Sequence, residues 1–240
     1  ETNTQLEEPE GNRRRSAIAH LRAAVAATRA DRILSRRKDP EKRDAILQAA
    51  TRLFARQGYA GTSMDAIARE AGVSKLTLYS HFTAKDTLFS AAVVYACEAH
   101  APPAWFDPSQ REPLRERLIR IGRGFVDLVM DPEVINVYRM MTAEARSSSK
   151  LGKLFFTAGP QRTIEQFARL LTAAQENGEL YVPDPHAAAG HYFCLLKGVC
   201  HLQVLMGSRA APKPAERAAH VDATVTLFLR AYAPQQHTGD

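Results

Sequence analysis

Apolar side chains recur at spacings of three and four residues along most of the chain, which is the pattern of helices that bury one face. The clearest case is residues 62–85, TSMDAIAREAGVSKLTLYSHFTAK. Met64, Ile67 and Ala68 form the apolar face of a first short helix. Gly72 follows it and can take the left-handed backbone that ends a helix and turns the chain sharply. The pattern therefore predicts two short helices joined by a tight glycine turn.

The ends and the outer face of these two helices indicate their use. Thr62 followed by Asp65 is a capping-box signal for the first helix, and Ser74 can cap the second. Leu78 and Phe82 share a face of the second helix that should point inward. The side chains left outside are Thr77, Tyr79, Ser80 and His81. A helix with such an outer face suits the major groove of duplex DNA.

Helices on both sides of this pair complete a small domain. Asp39-Pro40 is typical of an N-cap followed by proline in the first turn. The buried stripe of the helix it opens contains Ile46, Ala49, Ala50, Leu53 and Phe54. Thr83 with Asp86 predicts a further helix, and Lys85 in its first turn would help the helix N-terminus attract a phosphate. A three-helix domain without a nucleic-acid partner would show similar caps and stripes, but the glycine turn with the aromatic and polar outer face favours DNA binding.

Only helical periodicity follows this domain. Further helices are predicted over 114–129, 132–146, 151–177, 184–206 and 215–232. Gly159-Pro160 should break or kink the third of them near its middle. The predicted fold class is therefore all-α, with an N-terminal three-helix helix-turn-helix domain and a larger helical domain. The predicted boundaries are 1–38 for an N-terminal extension, 39–88 for the helix-turn-helix domain and 89–240 for the second domain.

Several short motifs are grouped between residues 46 and 89. They are A-x-x-L-F at 50–54, G-Y at 58–59, T-S-M-x-x-I-A at 62–68, G-V-S-K at 72–75, T-L-Y-x-H-F at 77–82 and K-D-x-L-F at 85–89. Together they resemble the TetR family of bacterial transcription regulators. The resemblance implies that Thr77, Tyr79 and His81 contact bases or backbone in the groove. It also implies phosphate contacts, from Thr62, Ser63, Tyr79 and Lys85.

Four more residues complete the predicted DNA-binding set: Ser74, Lys75, Leu76 and Ser80. Leu76 departs from the family pattern, in which this position is often small. Its side chain would either meet a thymine methyl group or pack against the protein. His81 also has two interpretations, a groove contact or a neutral surface histidine that holds its helix end.

The charge distribution adds a second candidate contact. The chain of 240 residues is 45% hydrophobic and carries 32 Lys and Arg against 26 Asp and Glu, a net charge of +6. Most of the excess lies in residues 12–38, which hold nine basic residues and one acidic one. Such an arm can lie along phosphates or enter a minor groove. A solvated tail is the alternative interpretation.

The second half resembles the family's all-α second domain, which holds an inducer pocket and the dimer interface. The run at 139–156, followed by Gly159-Pro160, is similar to the AefR-type subgroup. A pocket between helices needs large apolar side chains, and the same aromatics at helical spacing would equally suit a plain core. The candidate pocket residues are Phe125, Leu128, Tyr138, Met141, Phe155, Phe156, Phe167, Tyr192 and Phe193. The last two long helices are the predicted dimer seam.

The remaining chemistry is sparse. Cys97, Cys194 and Cys200 are interpreted as small apolar packing residues, with a metal site including His191 and redox sensing as the alternatives. No metal and no cofactor is predicted. The chain has no Walker A, G-x-S-x-G or H-E-x-x-H motif, so we expect it not to be an enzyme. No apolar run approaches the roughly 18 residues that span a membrane, and we expect a cytoplasmic protein at the bacterial nucleoid.

The sequence thus predicts a ligand-responsive transcriptional regulator, and specifically a repressor. It would bind a palindromic double-stranded DNA operator as a homodimer and be released by a small apolar or amphipathic effector. The alternatives are an effector-independent activator or architectural DNA-binding protein, and a helical small-molecule carrier or enzyme.

Overall fold

Helices form wherever the apolar periodicity predicts them, because each buries one face against its neighbours. The structure is a computed structural model that describes residues 39–144 and 149–234, and within these ranges all regular structure is helical. The predicted all-α class is confirmed. The basic extension at 1–38 lies outside the described residues. The chain divides into Glu1–Ala45, of which residues 39–45 are described as the start of a helix, and Ile46–Asp240.

The α-helices follow one another with short connections. They are α1 (Asp39–Gly61), α2 (Met64–Glu70), α3 (Lys75–His81), α4 (Lys85–His100), α5 (Leu114–Met130), α6 (Pro132–Glu144), α7 (Ser149–Phe156), α8 (Arg162–Glu176), α9 (Pro185–Leu205) and α10 (Pro214–Ala231). A short 3-10 helix, Pro103–Phe106, lies in the proline-rich link before α5. In the described ranges no helix is both long enough and apolar enough to cross a bilayer.

Two predicted helix caps are wrong by one residue. Ser63, not Thr62, caps α2, since its hydroxyl accepts the Ala66 N–H at 3.1 Å. The Thr62 hydroxyl is buried and donates instead to the Leu53 and Gly58 carbonyls. Because both carbonyls belong to the preceding helix, these bonds tie Thr62 to the end of that helix.

The start of α4 is the second corrected cap. Ala84, not Thr83, occupies the N-cap position of α4. The polar partner comes from inside the helix, where the Thr87 hydroxyl accepts the Ala84 N–H at 3.3 Å and donates to the Ala84 carbonyl at 2.7 Å. The sequence signal was therefore correct in kind, because a threonine hydroxyl does satisfy this helix start, but it was assigned to the wrong threonine.

Three irregular points shape the helices. Gly58 lies inside α1 with φ of 74° and redirects its last turn. The predicted kink at Gly159-Pro160 is a π-helical turn, Thr157–Gln161, which connects α7 to α8 and accommodates a proline that lacks an N–H donor. Gly198 breaks α9 with φ of 54° and ψ of −170°, which sequence periodicity did not indicate.

The buried side chains form two hydrophobic cores. The first surrounds α2 and α3 and includes Phe54 and Phe89, whose rings meet edge to face with centroids 5.1 Å apart. It also takes in Met141 of α6 and Leu151 of α7. The second core lies among α5, α8, α9 and α10. Since the first core draws on helices on both sides of residue 88, the domain boundary at that position stays a prediction.

Candidate functional site

The turn between α2 and α3 is tight and held by main-chain hydrogen bonds. Gly72 has φ of 66°, a left-handed conformation that favours glycine. The Val73 N–H donates to the Ala68 carbonyl at 3.0 Å, and the Gly72 N–H donates to the Arg69 carbonyl at 3.2 Å. These bonds close the end of α2 and send the chain directly into α3. Two short helices are thereby held at a defined angle, which is the geometry of a helix-turn-helix.

One buried residue and one cap hold α3 in place. Leu78 is fully buried in the first core. The Ser74 hydroxyl accepts the Thr77 N–H at 3.0 Å, and the two hydroxyls lie 2.8 Å apart. An N-cap of this kind stabilises a helix by about 1 kcal/mol. Because its inner face is anchored, the outer face of α3 is presented in a fixed orientation.

The outer face of α3 is open to solvent. Leu76 is 82% exposed and Tyr79 is 41% exposed. Thr77 and His81 are half-buried, and Ser80 is exposed with its hydroxyl donating to the Thr77 carbonyl at 2.7 Å. The structure therefore places the predicted residues of α3 on one accessible helix, and Leu76 does not pack against the described protein as the alternative interpretation allowed.

Charged groups flank this helix. The Lys75 ammonium lies 2.8 Å from the Asp65 carboxylate, and hydrogen bonding to that carboxylate raises the pKa of Lys75. Both side chains are exposed, and ion pairs between exposed side chains are weak because water screens them. A phosphate could therefore take Lys75 from Asp65 at little cost. Sequence reasoning chose Lys75 but missed this intramolecular competitor.

A second charged cluster fixes Lys85 at the start of α4. The Lys85 ammonium lies 4.4 Å from the centroid of the Tyr59 ring. The Tyr59 hydroxyl donates to the Asp86 carboxylate, which also pairs with Lys150. Burial and then the Asp86 hydrogen bond raise the pKa of Tyr59, while Lys150 and then Tyr59 lower the pKa of Asp86. The G-Y and K-D motifs are thus brought together by this network.

A large apolar cavity of about 400 Å³ opens between α4, α5, α6, α7 and α9. Six of the predicted pocket residues line it: Phe125, Leu128, Tyr138, Phe155, Phe156 and Phe193. Helical periodicity predicted that these side chains point toward the interior. In the structure the helices that carry them leave a space between their side chains, and this space is the cavity. A cavity of this size is in the range that holds a small organic ligand.

The other three predicted pocket residues lie outside the cavity lining. Phe167 and Tyr192 are fully buried in the second core, stacked with ring centroids 4.6 Å apart. Met141 is buried in the first core. Their helical spacing is the same as that of the lining residues, but opposing side chains fill the space in front of them, so they pack as core.

Polar groups on the cavity wall are few. Lys197 of α9 is half-buried, and its ammonium lies 5.1 Å from the centroid of the Tyr138 ring. Burial lowers the pKa of Lys197 and raises the pKa of Tyr138 to about 12. Burial also raises the pKa of Cys97 to about 11, so this thiol stays protonated near neutral pH. Asp131 and Glu133 contribute carboxylates to the wall.

Exposed apolar side chains form a stripe along α9 and α10. Val199 is 72% exposed and Met206 is 73% exposed, although both are large and apolar. The remaining members of this stripe are Leu195, Leu202 and Leu227. A row of exposed apolar residues on long helices is characteristic of a protein-protein interface. It coincides with the two helices that the sequence predicted as the dimer seam.

A helix-turn-helix with an exposed second helix, joined to a larger helical body, is typical of DNA-binding transcription factors. Comparison with known proteins agrees. Residues 46–92 match the family model for bacterial regulatory proteins of the tetR family, and residues 116–234 match the AefR-like transcriptional repressor C-terminal domain. The chain belongs to the TetR family of transcriptional regulators. The regulators of this family bind DNA and typically act as dimers.

Similar structures cover nearly the whole of the described chain. A TetR-family transcriptional regulator from Mesorhizobium loti is 31% identical, with 80% of this chain and 96% of that chain covered and a TM-score of 0.65. The flavonoid-responsive regulator FrrA is also 31% identical, with 81% and 98% covered and a TM-score of 0.62.

Curated relatives match only a short part of this chain. The regulator AcrR of Shigella flexneri is 48% identical over 50 residues, which are 21% of this chain and 23% of AcrR. The matched part spans about a fifth to a quarter of the length of such relatives.

Proposed function

We propose that this protein is a repressor that binds a palindromic operator as a homodimer and releases it when a small apolar or amphipathic molecule occupies the cavity. The observation that carries the proposal is the anchored helix α3, which turns Leu76 and Tyr79 to solvent while Leu78 holds it to the core. The protein would act in the cytoplasm at the nucleoid, without catalysis. The match to the AefR-like transcriptional repressor domain supports repression as the direction of regulation.

The proposed DNA contacts divide by chemistry. On α3, Leu76 offers a methyl-bearing side chain to thymine, and Tyr79 offers a hydroxyl and a ring edge. The other contacts proposed on α3 or at its start are Ser74, Lys75, Thr77, Ser80 and His81. Ser63 at the N-terminus of α2 and Lys85 at that of α4 would meet phosphates, because helix N-termini present unpaired N–H groups. Thr62 would act through the fold, since its hydroxyl is already bonded to two carbonyls.

The proposed dimer uses the exposed stripe on α9 and α10. Two copies related by a two-fold axis would bury Val199, Leu202 and Met206 against the same residues of the partner. Such a dimer would hold two α3 helices about 34–36 Å apart, one turn of B-DNA. An effector that favours another separation would weaken DNA binding, and by linkage DNA would weaken effector binding by the same factor.

The cavity wall supports an aromatic effector. The Phe125 and Phe193 rings are tilted by 51° with centroids 4.6 Å apart, and Tyr138 and Phe155 meet edge to face at 5.4 Å. A planar ring could stack among these side chains. The flavonoid response named for FrrA is consistent with this chemistry in a related structure.

The test begins with DNA from upstream of the protein's own coding sequence. Footprinting should show a protected palindrome, and its absence from that region and from the flanking promoters would overturn the proposal. Tyr79→Ala should weaken operator binding at least about tenfold, the loss expected from one good base contact. Tyr181→Ala is the matched control, because Tyr181 is similarly exposed, at 45%, and lies outside α3. Equal effects of the two changes would contradict the assignment of α3.

A further inference from the structure

Lys197 is a cation on the wall of a mostly apolar cavity. Its side chain is half-buried, and the contact to its ammonium is the face of the Tyr138 ring. Among the described residues, no carboxylate forms an ion pair with it. Removing an ammonium from water without a counter-ion is costly, and the lowered pKa of Lys197 reflects that cost. An anionic group of a ligand would therefore meet an ammonium that no described carboxylate occupies.

The other polar groups on the wall are arranged differently. The Asp131 carboxylate accepts the Glu133 and Val134 N–H groups at 2.8 and 3.2 Å, and so caps α6. The His100 ring bonds to the Ala96 carbonyl within its own helix. Glu133 is the remaining carboxylate on the wall. A ligand in the cavity would therefore meet the Lys197 ammonium, which forms no ion pair with a described carboxylate. Glu133 on the same wall is a group of opposite charge that can serve as a control.

We propose that Lys197 is the specificity-determining residue of the cavity and that the effector is an aromatic anion, whose carboxylate, sulfonate or phenolate pairs with the Lys197 ammonium. This inference rests on the proposed function. The ring of the anion would occupy the space beside Tyr138 and Phe193, and its acidic group would lie at the Lys197 end. An ion pair inside an apolar cavity is screened less than one at the surface, so it adds both affinity and orientation.

The test uses two fluorescent probes that share their rings and differ in one charged group. 1-Anilinonaphthalene-8-sulfonate is anionic, and N-phenyl-1-naphthylamine is its neutral counterpart. Each is titrated into the full-length protein, into Lys197→Met, which keeps the length of the side chain, and into Lys197→Arg, which keeps the charge. Glu133→Gln serves as the matched removal of a charge of opposite sign on the same wall.

We expect Lys197→Met to raise the dissociation constant of the anionic probe about tenfold and that of the neutral probe less than twofold. Lys197→Arg should retain most of the anion affinity, and Glu133→Gln should leave it unchanged or increase it. Equal weakening of both probes by Lys197→Met would show a packing role and overturn the proposal, as would an unchanged affinity for the anion.

The two probes distinguish a failure of ligand binding in the cavity from a failure of the role proposed for Lys197. If neither probe binds the wild-type protein, the cavity does not hold ligands of this kind, and the effector part of the proposed function fails together with the role of Lys197. If the neutral probe binds and the sulfonate gives no advantage that depends on Lys197, only the anion proposal fails.

Discussion

The Tyr192 hydroxyl in α9 donates a 2.6 Å hydrogen bond to the main-chain carbonyl of Leu118 in α5. The tyrosine is fully buried, and its ring stacks on Phe167. Gly122, one turn further along α5, leaves the space that the hydroxyl needs, since a Cβ there would lie 2.7 Å from it. This bond ties two helices of the second core together and directs the Tyr192 hydroxyl to α5.

Replacing Tyr192 with phenylalanine should destabilise the fold without changing the cavity. Tyr192→Phe removes the bond to Leu118, and we expect the free energy of unfolding to fall by about 1 kcal/mol in urea denaturation. Binding of N-phenyl-1-naphthylamine should stay within twofold. Tyr181→Phe, at an exposed position, is the control and should leave stability unchanged. A large loss of probe affinity in Tyr192→Phe would mean that this residue belongs to the ligand site.

Thr62 should act on stability and not on DNA directly. Thr62→Val leaves the Leu53 and Gly58 carbonyls without this donor, so we expect a loss of about 1–3 kcal/mol in unfolding free energy. The exposed Thr83 provides the control, because Thr83→Val should change stability by less than about 0.5 kcal/mol. Operator affinity of the folded Thr62→Val protein should remain within twofold. A selective loss of DNA binding at unchanged stability would restore the phosphate contact inferred from the family pattern.

Dimerisation and DNA binding should be separable by two matched changes. Leu202→Glu places a charge in the stripe on α9 and should give a monomer in sedimentation analysis, because a buried carboxylate without a partner is costly. Leu76→Glu makes the same change on α3, where we expect an intact dimer that no longer binds operator. A dimeric Leu202→Glu protein would exclude this stripe as the seam.

The break in α9 should require glycine. Gly198 has φ of 54° and ψ of −170°, a region that residues with a Cβ avoid. Next to this break, the Leu196 carbonyl oxygen lies at hydrogen-bond distance, 2.9 Å, from Nε2 of His220 in α10. We expect Gly198→Ala to lower the free energy of unfolding by about 1–3 kcal/mol. Gly190→Ala in the same helix should instead stabilise it by up to about 1 kcal/mol, because a Cβ there meets no neighbouring atom within 4 Å. Similar effects at both positions would mean that the break is not required.

His201 should make stability depend on pH below neutrality. Its ring is buried, its Nε2 has no hydrogen-bond partner among the described residues, and burial and then Lys197 lower its pKa from 6.5. A pKa lower in the folded state means that the unfolded chain binds the proton more readily. The contribution to stability is therefore present above about pH 6.5 and is lost as the pH falls toward the folded pKa.

The variant His201→Leu isolates this effect from the other histidines. We expect the difference in unfolding free energy between pH 7.5 and pH 5 to be smaller in His201→Leu than in the wild type. Tyr138 packs edge to face on His201, and its pKa of about 12 places its titration outside this range. An identical pH dependence in the two proteins would show that His201 titrates equally in the folded and unfolded chains.

Local interactions were readable in the sequence. The 3–4 periodicity placed nearly every described helix within a few residues of its observed bounds, and Gly72 and Ser74 marked the turn and the cap that define the helix-turn-helix. These features depend on neighbours within one or two turns, so a single segment contains the information. The same locality explains the error at Thr62, because the adjacent hydroxyl residues Thr62 and Ser63 offer equivalent caps. At Thr83 the hydroxyl that satisfies the helix start is instead that of Thr87, one turn further on.

The division between core and cavity was decided only by the tertiary structure. Phe125 and Phe167 have the same local pattern, but one lines a cavity and the other is packed against Tyr192. Lys197 is notable only because the folded chain places it beside Tyr138 on the cavity wall. The break at Gly198 likewise lies beside a contact between α9 and α10, from the Leu196 carbonyl to His220. A sequence pattern states which face of a helix is turned inward. Whether another side chain fills the space before that face depends on helices far apart in the chain.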